Sequence, residues 1–421
     1  MSHTHRQDIT FGLELEFLTP SCDGYVYEDG PAYHAPTRKA LALELRQLTH
    51  GLGIAAECNH DIGCFCAVCM HAPAKDVSPG MRVFNAGPSD QVSYVRPCHQ
   101  FFLIQKEDLV SPQAKGPWRG IEITTPVFNM SELSAGLPQT KQVVSALRNM
   151  DLDIAANRSC GLHVHVGLRA GLRLTLAKKL VTLVMLMELP LILPLCPASR
   201  RESPFTSLIT EKSRFVVRRL DLDEMASALR AEGPEMREHW PWTLGDSTAT
   251  AWNGGDPVAL QGTMRLIWHS RSLRELAEGL CKRASTRTAL AIRLRSPDGV
   301  QVEPSSVDPD GNAFDFEGTQ STFEFRYPQM SFDMPFIKNW AELCCKLVEI
   351  ATLDAPAFKA KLQGLVCALS AAKASGNTEW ETILGAIGLG HQVPEWREQL
   401  RRHAGGEEIS HLGEGGILLP E

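Results

Sequence analysis

Four short segments of the chain alternate apolar and polar side chains with a period of two, and this pattern constrains the fold more than any other feature. They are residues 11–17, 121–127, 161–167 and 323–327. Because successive side chains of a β-strand point to opposite faces, each segment predicts a strand with one apolar and one polar face. We expect the apolar faces to be buried against helices.

The polar faces of these segments have an unusual composition, because they contain no lysine. They carry Glu14, Glu16, Glu122, His163, His165, Glu324 and Arg326. Any one such strand taken alone is equally typical of an ordinary solvated sheet face. Glu14 and Glu16, about 7 Å apart along one strand, repel each other unless cations lie beside them. If the four strands are neighbours in one sheet, the polar side chains converge, and clustered carboxylates suit Mg²⁺ or Mn²⁺.

The segments between these strands predict the fold class. Helical spacing of apolar residues predicts helices at about 36–50, 131–150 (interrupted near Pro138), 175–189 and 336–353. Further strand-like segments occur at 101–105, 262–270 and 291–295. Strands separated by helices of uneven length, without a regular βαβ rhythm, predict an α+β fold with a mostly antiparallel sheet and helices on one face.

The length of 421 residues exceeds what one compact core usually supports. We expect a catalytic domain over residues 1–350 and a helical extension over residues 351–421 that ends in a mobile tail rich in Gly and Glu. Residues from about 51 to 120 are rich in Cys, Pro, Gly and His, which predicts a largely irregular Cys-rich insertion.

Charge and hydropathy exclude several classes of protein. The net charge of −7 and a pI near 6.1 argue against a nucleic-acid partner. The longest apolar run, residues 180–196, is interrupted by Glu188, Pro190 and Pro194, so no membrane association is expected. The first residues lack the apolar region of a signal peptide, so a cytoplasmic location is expected. The chain contains no Walker-type phosphate loop, which argues against a P-loop kinase.

The four strand motifs together resemble the amidoligase family and, more distantly, glutamine synthetase and glutamate–cysteine ligase. They read Gly12-Leu-Glu-Leu-Glu-Phe17, Glu122-Ile-Thr-Thr-Pro126, Gly161-Leu-His-Val-His165 and Glu324-Phe-Arg326, in the family's order. The resemblance covers roughly residues 9–350. It implies a glutamine synthetase-like fold and an ATP- and Mg²⁺-dependent ligase. Such a ligase joins a small-molecule or peptide carboxylate to an amine through an acyl-phosphate.

The resemblance also implies a set of metal ligands. Glu14 and Glu16 would hold different metal ions from one strand. Glu122 would join Glu16 at one ion, and His163 and Glu324 would join Glu14 at the other.

Two further roles follow from the same resemblance, with one departure from the family pattern. Arg326 would face the γ-phosphate of ATP, and His165 would lie nearer the substrate carboxylate, which makes these two the catalytic candidates. Glu122 lacks an evident acidic companion, and Glu132 is the candidate for that position.

Three arginines precede the last motif and are candidates for binding phosphate or a substrate carboxylate. They are Arg265, Arg293 and Arg295. Arginines that are solvated or paired at the surface are the ordinary alternative.

The Cys-rich segment contains a possible structural zinc site. Cys66 and Cys69 have zinc-ligand spacing, and Cys58 and Cys64 are further candidate ligands. Free thiols are the alternative, because no second paired motif accompanies the first.

Two other functions remain compatible with the motifs. His163 and His165 with one carboxylate could form the iron site of a non-haem oxygenase, or the centre of a metal-dependent hydrolase. The chain could also be a catalytically inactive member of the family. The sequence identifies neither the acid nor the amine substrate, nor the oligomeric state.

Overall fold

The computed structural model describes residues 7–21, 35–58, 74–78, 81–85, 97–110, 118–201, 203, 206–217, 233–241, 257–282, 286–307 and 311–421.

One large sheet organises these residues. Its strands are β1 (Ile9–Pro20), β2 (Ile54–Cys58), β3 (Ala74–Ser78), β4 (Met81–Asn85), β5 (Phe102–Lys106), β6 (Trp118–Thr124), β7 (Phe128–Asn129), β8 (Leu162–Leu168), β9 (Leu290–Arg293) and β10 (Thr322–Phe325). The strand order is β3-β4-β2-β5-β6-β1-β8-β10-β9, and β7 also pairs with β1. β2 runs parallel to β4 and β5, and the other named pairs are antiparallel. The mostly antiparallel sheet predicted from the sequence is therefore confirmed.

Helices make up most of the remaining described residues. They are α1 (Ala35–Leu48), α2 (Met130–Ser134), α3 (Pro138–Arg148), α4 (Leu174–Met187), α5 (Ala198–Arg201), α6 (Ile209–Lys212), α7 (Arg214–Val217), α8 (Pro234–His239), α9 (Pro257–His269), α10 (Leu273–Leu280), α11 (Met334–Ala351), α12 (Ala355–Ser375), α13 (Glu379–Ile387) and α14 (Val393–Ala404). A π-helical turn, Glu188–Ile192, continues directly from α4. None of the described helices is both long enough and apolar enough to cross a lipid bilayer.

The core lies under the central strands. Phe11, Leu13, Leu15 and Phe17 of β1 are buried, and α11 packs beneath β1 and β8 and against α4. The apolar face of the alternating pattern is thus buried against helices, as the hydrophobic effect favours.

Two local predictions were wrong. Residues 262–270 were expected to form a strand, but all except the last lie in α9, where Gln261, Met264 and Trp268 recur at helical spacing on a buried side. The segment 51–120 was expected to be largely irregular with one strand, but its described parts form β2 to β5 and extend the main sheet. A short Ala-containing strand such as β2 lacks a clear period-two pattern, so the pattern could not reveal it.

The C-terminal segment has defined partners. The Leu418 N–H donates to the Ile154 carbonyl at 2.7 Å, and the Ala156 N–H donates to the Gly416 carbonyl at 3.1 Å. Ala155 in turn bridges to Leu18 at the end of β1. The division into two domains and the mobility of the tail stay predictions.

Candidate active site

Strand pairing brings the polar faces of the four motifs together. Glu14 lies opposite His163 in the β1–β8 pair, and Glu16 lies opposite Glu122 in the β1–β6 pair. In the β8–β10 pair, His165 lies opposite Glu324. Residues directly opposite in a sheet share a face, so one surface of β6, β1, β8 and β10 carries all six.

Glu14 is the centre of the first group of side chains. Its Oε2 lies 2.8 Å from Nδ1 of His163, and its Oε1 lies 2.7 Å from Nε2 of His165. Glu324 is close to both imidazoles, with Oε1 3.9 Å from Nδ1 of His163 and 3.8 Å from Nε2 of His165. Burial alone would raise the pKa of Glu14, but the two histidines outweigh it and hold that pKa well below its ordinary value.

Glu16 belongs to a second group, which contains a residue that the motifs did not indicate. Ligand oxygens of Glu16, Glu107 and Glu122 all lie within 4.8 Å of one another. Glu107 follows β5, and its backbone N–H donates to the Gly120 carbonyl at 3.0 Å. It is the acidic companion that Glu122 lacked in the sequence. The sequence candidate Glu132 is not in this group, and its side chain accepts a hydrogen bond from the Gln139 N–H at 2.8 Å.

Crowding of carboxylates changes how this second group titrates. Burial raises the pKa of Glu122 well above its ordinary value, and the charges of Glu14, Glu16 and Glu107 add to the shift. Burial also raises the pKa of Glu107, with a contribution from Glu16. Both shifts come from burial of three carboxylates close together, an arrangement that a bound cation would stabilise.

Arginines border the cluster on the β10 side. Arg326 Nη1 contacts Glu324 Oε1, and Arg293 Nε lies 3.6 Å from Glu324 Oε2. Burial would raise the pKa of Glu324, but Arg326 and Arg293 outweigh it and hold that pKa far below its ordinary range. The carboxylate in turn raises the pKa of Arg326 despite burial.

A further arginine was not predicted. Burial lowers the pKa of Arg287, and repulsion from the nearby Arg293 and Arg326 contributes to the shift. Arg287 and Arg293 also line a pocket together with Glu303. No motif marks Arg287, because it precedes β9 and reaches this edge only through the pairing of β9 with β10.

The other two candidate arginines have different surroundings. Arg265 is half-buried on helix α9 rather than on the expected strand. Arg295 follows β9, and its Nη1 donates to the Gly299 carbonyl at 3.1 Å within the adjoining turn. Their predicted roles in binding phosphate or carboxylate stay predictions.

The loop before β8 fixes Glu16. The Gly161 N–H donates to Glu16 Oε2 at 2.5 Å. A Cβ at position 161 would lie 2.5 Å from His163 Nε2 and 3.0 Å from Glu16 Oε2. Only glycine therefore allows the backbone to approach both side chains so closely.

The opposite face of the sheet anchors the end of β10. Tyr327, next to Arg326, donates its hydroxyl to Glu188 Oε1 at 2.7 Å. Glu188 is fully buried and also accepts from the backbone N–H groups of Ile209 at 2.9 Å and Thr210 at 2.8 Å. Burial raises the pKa of Glu188. The π-helical turn that carries Glu188 thus holds the strand segment beneath Arg326.

The candidate zinc ligands cannot be placed as a group. Cys58 is the last residue of β2, and Cys64, Cys66 and Cys69 lie outside the described residues. Structural zinc at these cysteines stays a prediction.

The cluster fits divalent metal. Three groups of side chains offer converging ligand atoms, and each has an oxygen-rich ligand set. They are Glu14–His165–Glu324, Glu14–Glu122–His163 and Glu16–Glu107–Glu122. Glu324 Oε2 is also buried without a hydrogen bond from any described residue. Carboxylates with at most one imidazole are ligands typical of Mg²⁺ and Mn²⁺.

The fold and this site together define an α+β protein with a candidate metal centre on a sheet face. Residues 7–232, more than half of the chain, match a family model whose description reads "Putative amidoligase enzyme". The chain belongs to this amidoligase family, as the motifs predicted, and the family indicates an enzyme of the ligase type. A search of curated proteins finds no match to the chain.

Proposed function

We propose that this protein is an ATP- and Mg²⁺-dependent carboxylate–amine ligase with a glutamine synthetase-like catalytic fold. It would form an amide or peptide bond through an acyl-phosphate, with Mn²⁺ as an alternative ion. The observation that carries the proposal is the apposition of a carboxylate cluster to arginines on one sheet face. Family membership supports the reaction class.

The carboxylates of the cluster suit the metal ions of a metal–nucleotide complex, and the arginines suit its phosphate groups. Glu16, Glu107 and Glu122 offer oxygen ligands at one end. Glu14 with His163 and Glu324 offers a second position, as the resemblance implies. When bound, divalent ions would neutralise charge on the phosphate oxygens of ATP during transfer.

The arginines supply fixed positive charge at the other edge. Arg326 and Arg293 contact Glu324, and Arg287 lies nearby at 4.0 Å from Glu303, so these three arginines outnumber the two carboxylates that they face. A guanidinium fork matches phosphate oxygens well. We infer that a bound phosphate group would contact Arg326 in place of Glu324. The carboxylate of Glu324 would then be free to bind metal.

The chemistry requires no protein nucleophile. A carboxylate oxygen of the acid substrate attacks the γ-phosphorus of ATP, and ADP leaves. The amine then attacks the acyl carbon, phosphate leaves and the nitrogen loses a proton. The protein binds, orients and neutralises charge, which matches a site of carboxylates and arginines.

The arrangement does not favour an iron oxygenase. A facial triad needs two imidazoles and one carboxylate around open positions. Here Glu122, Glu16 and Glu107 crowd the same face, and Arg326 and Arg293 engage Glu324, whose Oε1 lies 3.8 Å from His165 Nε2. An excess of carboxylates with adjoining arginines suits phosphate-bridging metal ions better.

Release of ADP tests the proposal. Purified protein with MgATP should release ADP with at least one pair from a panel of carboxylates and amines, and mass spectrometry should find the condensed product. Arg326→Ala should lower the rate by about 10²–10³-fold. Arg397→Ala is the control and should retain activity, because Arg397 pairs with Glu381 on the C-terminal helices. A protein that neither binds MgATP nor releases ADP with any pair would refute the proposal.

A further inference from the structure

Arg200, in the short helix α5, is a buried arginine that joins two backbone segments of the candidate site. The residue is only 2% exposed. Its Nη1 donates to the Arg158 carbonyl at 2.9 Å, and its Nε donates to the Tyr327 carbonyl at 3.1 Å. Arg158 lies in the loop before β8, and Tyr327 directly follows Arg326. One guanidinium group therefore binds the backbone next to both parts of the site.

The loop before β8 carries the first of these carbonyls to the carboxylate cluster. The loop is folded as a turn in which Asn157 Oδ1 accepts from the Ser159 N–H at 2.8 Å, with Arg158 between them. The turn leads directly into Gly161, whose N–H donates to Glu16 Oε2. A hold on the Arg158 carbonyl is therefore a hold on the backbone that fixes Glu16.

The second segment follows Arg326 and runs beside this loop. The Met330 N–H donates to the Cys160 carbonyl at 2.8 Å, and the Leu162 N–H donates to the Pro328 carbonyl at 3.2 Å. These bonds join the two segments beyond the point at which the guanidinium group binds them. Because the segments are bonded at both points, a shift of one is transmitted to the other.

The charge of Arg200 is also balanced within the site. Burial lowers the pKa of Arg200 to about 10, and the negative charge of Glu16 opposes that shift. The guanidinium group therefore stays protonated at neutral pH. A buried charge is costly unless it is compensated by opposite charge and hydrogen bonds. The groups that compensate Arg200 belong to the carboxylate cluster and to the two segments that it joins.

We propose that Arg200 is a positioning residue that couples the metal-binding part of the site to its phosphate-binding part. It fixes Glu16 through the loop that ends at Gly161, and it fixes Arg326 through the carbonyl of the next residue. The inference rests on the proposed function for the roles of Glu16 and Arg326. It gives Arg200 itself no contact with metal or substrate.

Hydrogen exchange in the metal-free protein tests the positioning role without any ligand. Arg200→Lys keeps the charge but lacks the planar fork that donates from two separate nitrogens. We expect the N–H groups of Gly161, Leu162 and Met330 to exchange at least about tenfold faster, as expected for the loss of a hydrogen bond from a charged donor. Unchanged exchange at these positions would overturn the proposal. An equal acceleration in helix α12 would also overturn it, because Arg200 would then only stabilise the fold.

Arg201→Lys is the matched control for the same chemical change. Arg201 is adjacent in the sequence and also donates to two backbone carbonyls, those of Cys196 at 3.1 Å and Pro194 at 2.8 Å. Both of these carbonyls lie in the segment just before α5 and away from the loop and the end of β10. The variant should therefore exchange as the wild type does at the site.

Isothermal titration tests the coupling. Arg200→Lys should weaken the binding of Mn²⁺ alone and of a non-hydrolysable ATP analogue, each by about tenfold, the lower end of the effect usual for residues that support metal ligands. A loss of only one of the two affinities would overturn the coupling. Asn157→Ala removes the turn that presents the Arg158 carbonyl and leaves Arg200 in place. It should weaken Mn²⁺ binding in the same way, and it replaces Arg200→Lys if that variant does not fold.

The two experiments separate this inference from the proposed function. Hydrogen exchange requires neither metal nor nucleotide, so it decides the positioning role even if no ligase activity is found. A wild-type protein that bound neither Mn²⁺ nor the ATP analogue would instead refute the proposed function, together with the coupling that depends on it.

Discussion

Glu122 is the residue at which burial and neighbouring negative charge act together most strongly. Its pKa is raised, so the folded state holds a proton there more tightly than the unfolded state does. That contribution to stability is complete below the pKa of an unfolded glutamate. It is lost as the pH rises through the raised pKa of the folded protein.

Glu122→Gln should therefore stabilise the metal-free protein at pH 8 and have little effect at pH 5. We expect a rise in Tm of roughly 2–4 °C at the higher pH, measured by calorimetry in a chelating buffer. Mg²⁺ should stabilise the variant less than the wild type, because one ligand oxygen has lost its charge. Glu132→Gln is the control, because Glu132 lies in helix α2 and its carboxylate accepts from the Gln139 N–H rather than facing the cluster. A variant less stable than the wild type at pH 8 would show that the cluster is not under electrostatic strain.

Gly161 permits the close approach of the β8 loop to two candidate ligands. Gly161→Ala would place a Cβ 2.5 Å from His163 Nε2, so His163 and Glu16 must both shift. We expect Mn²⁺ affinity to fall at least about tenfold, measured by isothermal titration. Gly364→Ala, in helix α12 with open space around its Cβ, should leave Mn²⁺ affinity unchanged and stabilise the helix by about 0.5–1 kcal/mol. Unchanged affinity in Gly161→Ala would mean that Glu16 and His163 do not bind the ion.

At the scale of single elements, the end of β10 has partners on both faces. Arg326 reaches the candidate site, and Tyr327 binds Glu188 under the sheet. Tyr327→Phe would leave buried Glu188 with one donor fewer, which should cost about 1–3 kcal/mol of stability. The matched double variant Tyr327→Phe with Glu188→Gln should lose less than the sum of the two single variants. Denaturant unfolding measures all three, and strict additivity would contradict the anchoring role.

The elements also show what sequence patterns can predict. The strands that carry the four motifs could be predicted because period-two alternation is maintained wherever one face is buried. β2 to β5 were mostly missed, because they are short and their sequences do not alternate clearly. Residues 262–270 were assigned to a strand since a short apolar run does not distinguish a strand from a buried helix. The helix at 336–353 was predicted almost in place, because its apolar face extends over several turns.

At the scale of the whole molecule, the site depends on the order of strands in the sheet. Glu14, Glu16 and Glu122 could be predicted as neighbours because each lies in a motif that the family shares. Glu107 could not, since only the pairing of β5 with β6 brings it beside Glu122. Arg287 could not be predicted either, since only the pairing of β9 with β10 brings it to this edge of the sheet. Long-range pairing depends on the energy of the whole sheet and leaves little trace in any one segment.

The central claim is that the carboxylate face binds divalent metal beneath a nucleotide held by Arg326. A crystal structure with Mn²⁺ and a non-hydrolysable ATP analogue, with data collected at the manganese absorption edge, tests it most directly. We expect anomalous peaks among Glu16, Glu107 and Glu122 and beside Glu14 and His163, with the γ-phosphate group within hydrogen-bonding distance of Arg326. Nucleotide bound elsewhere, or no manganese between these carboxylates, would contradict it.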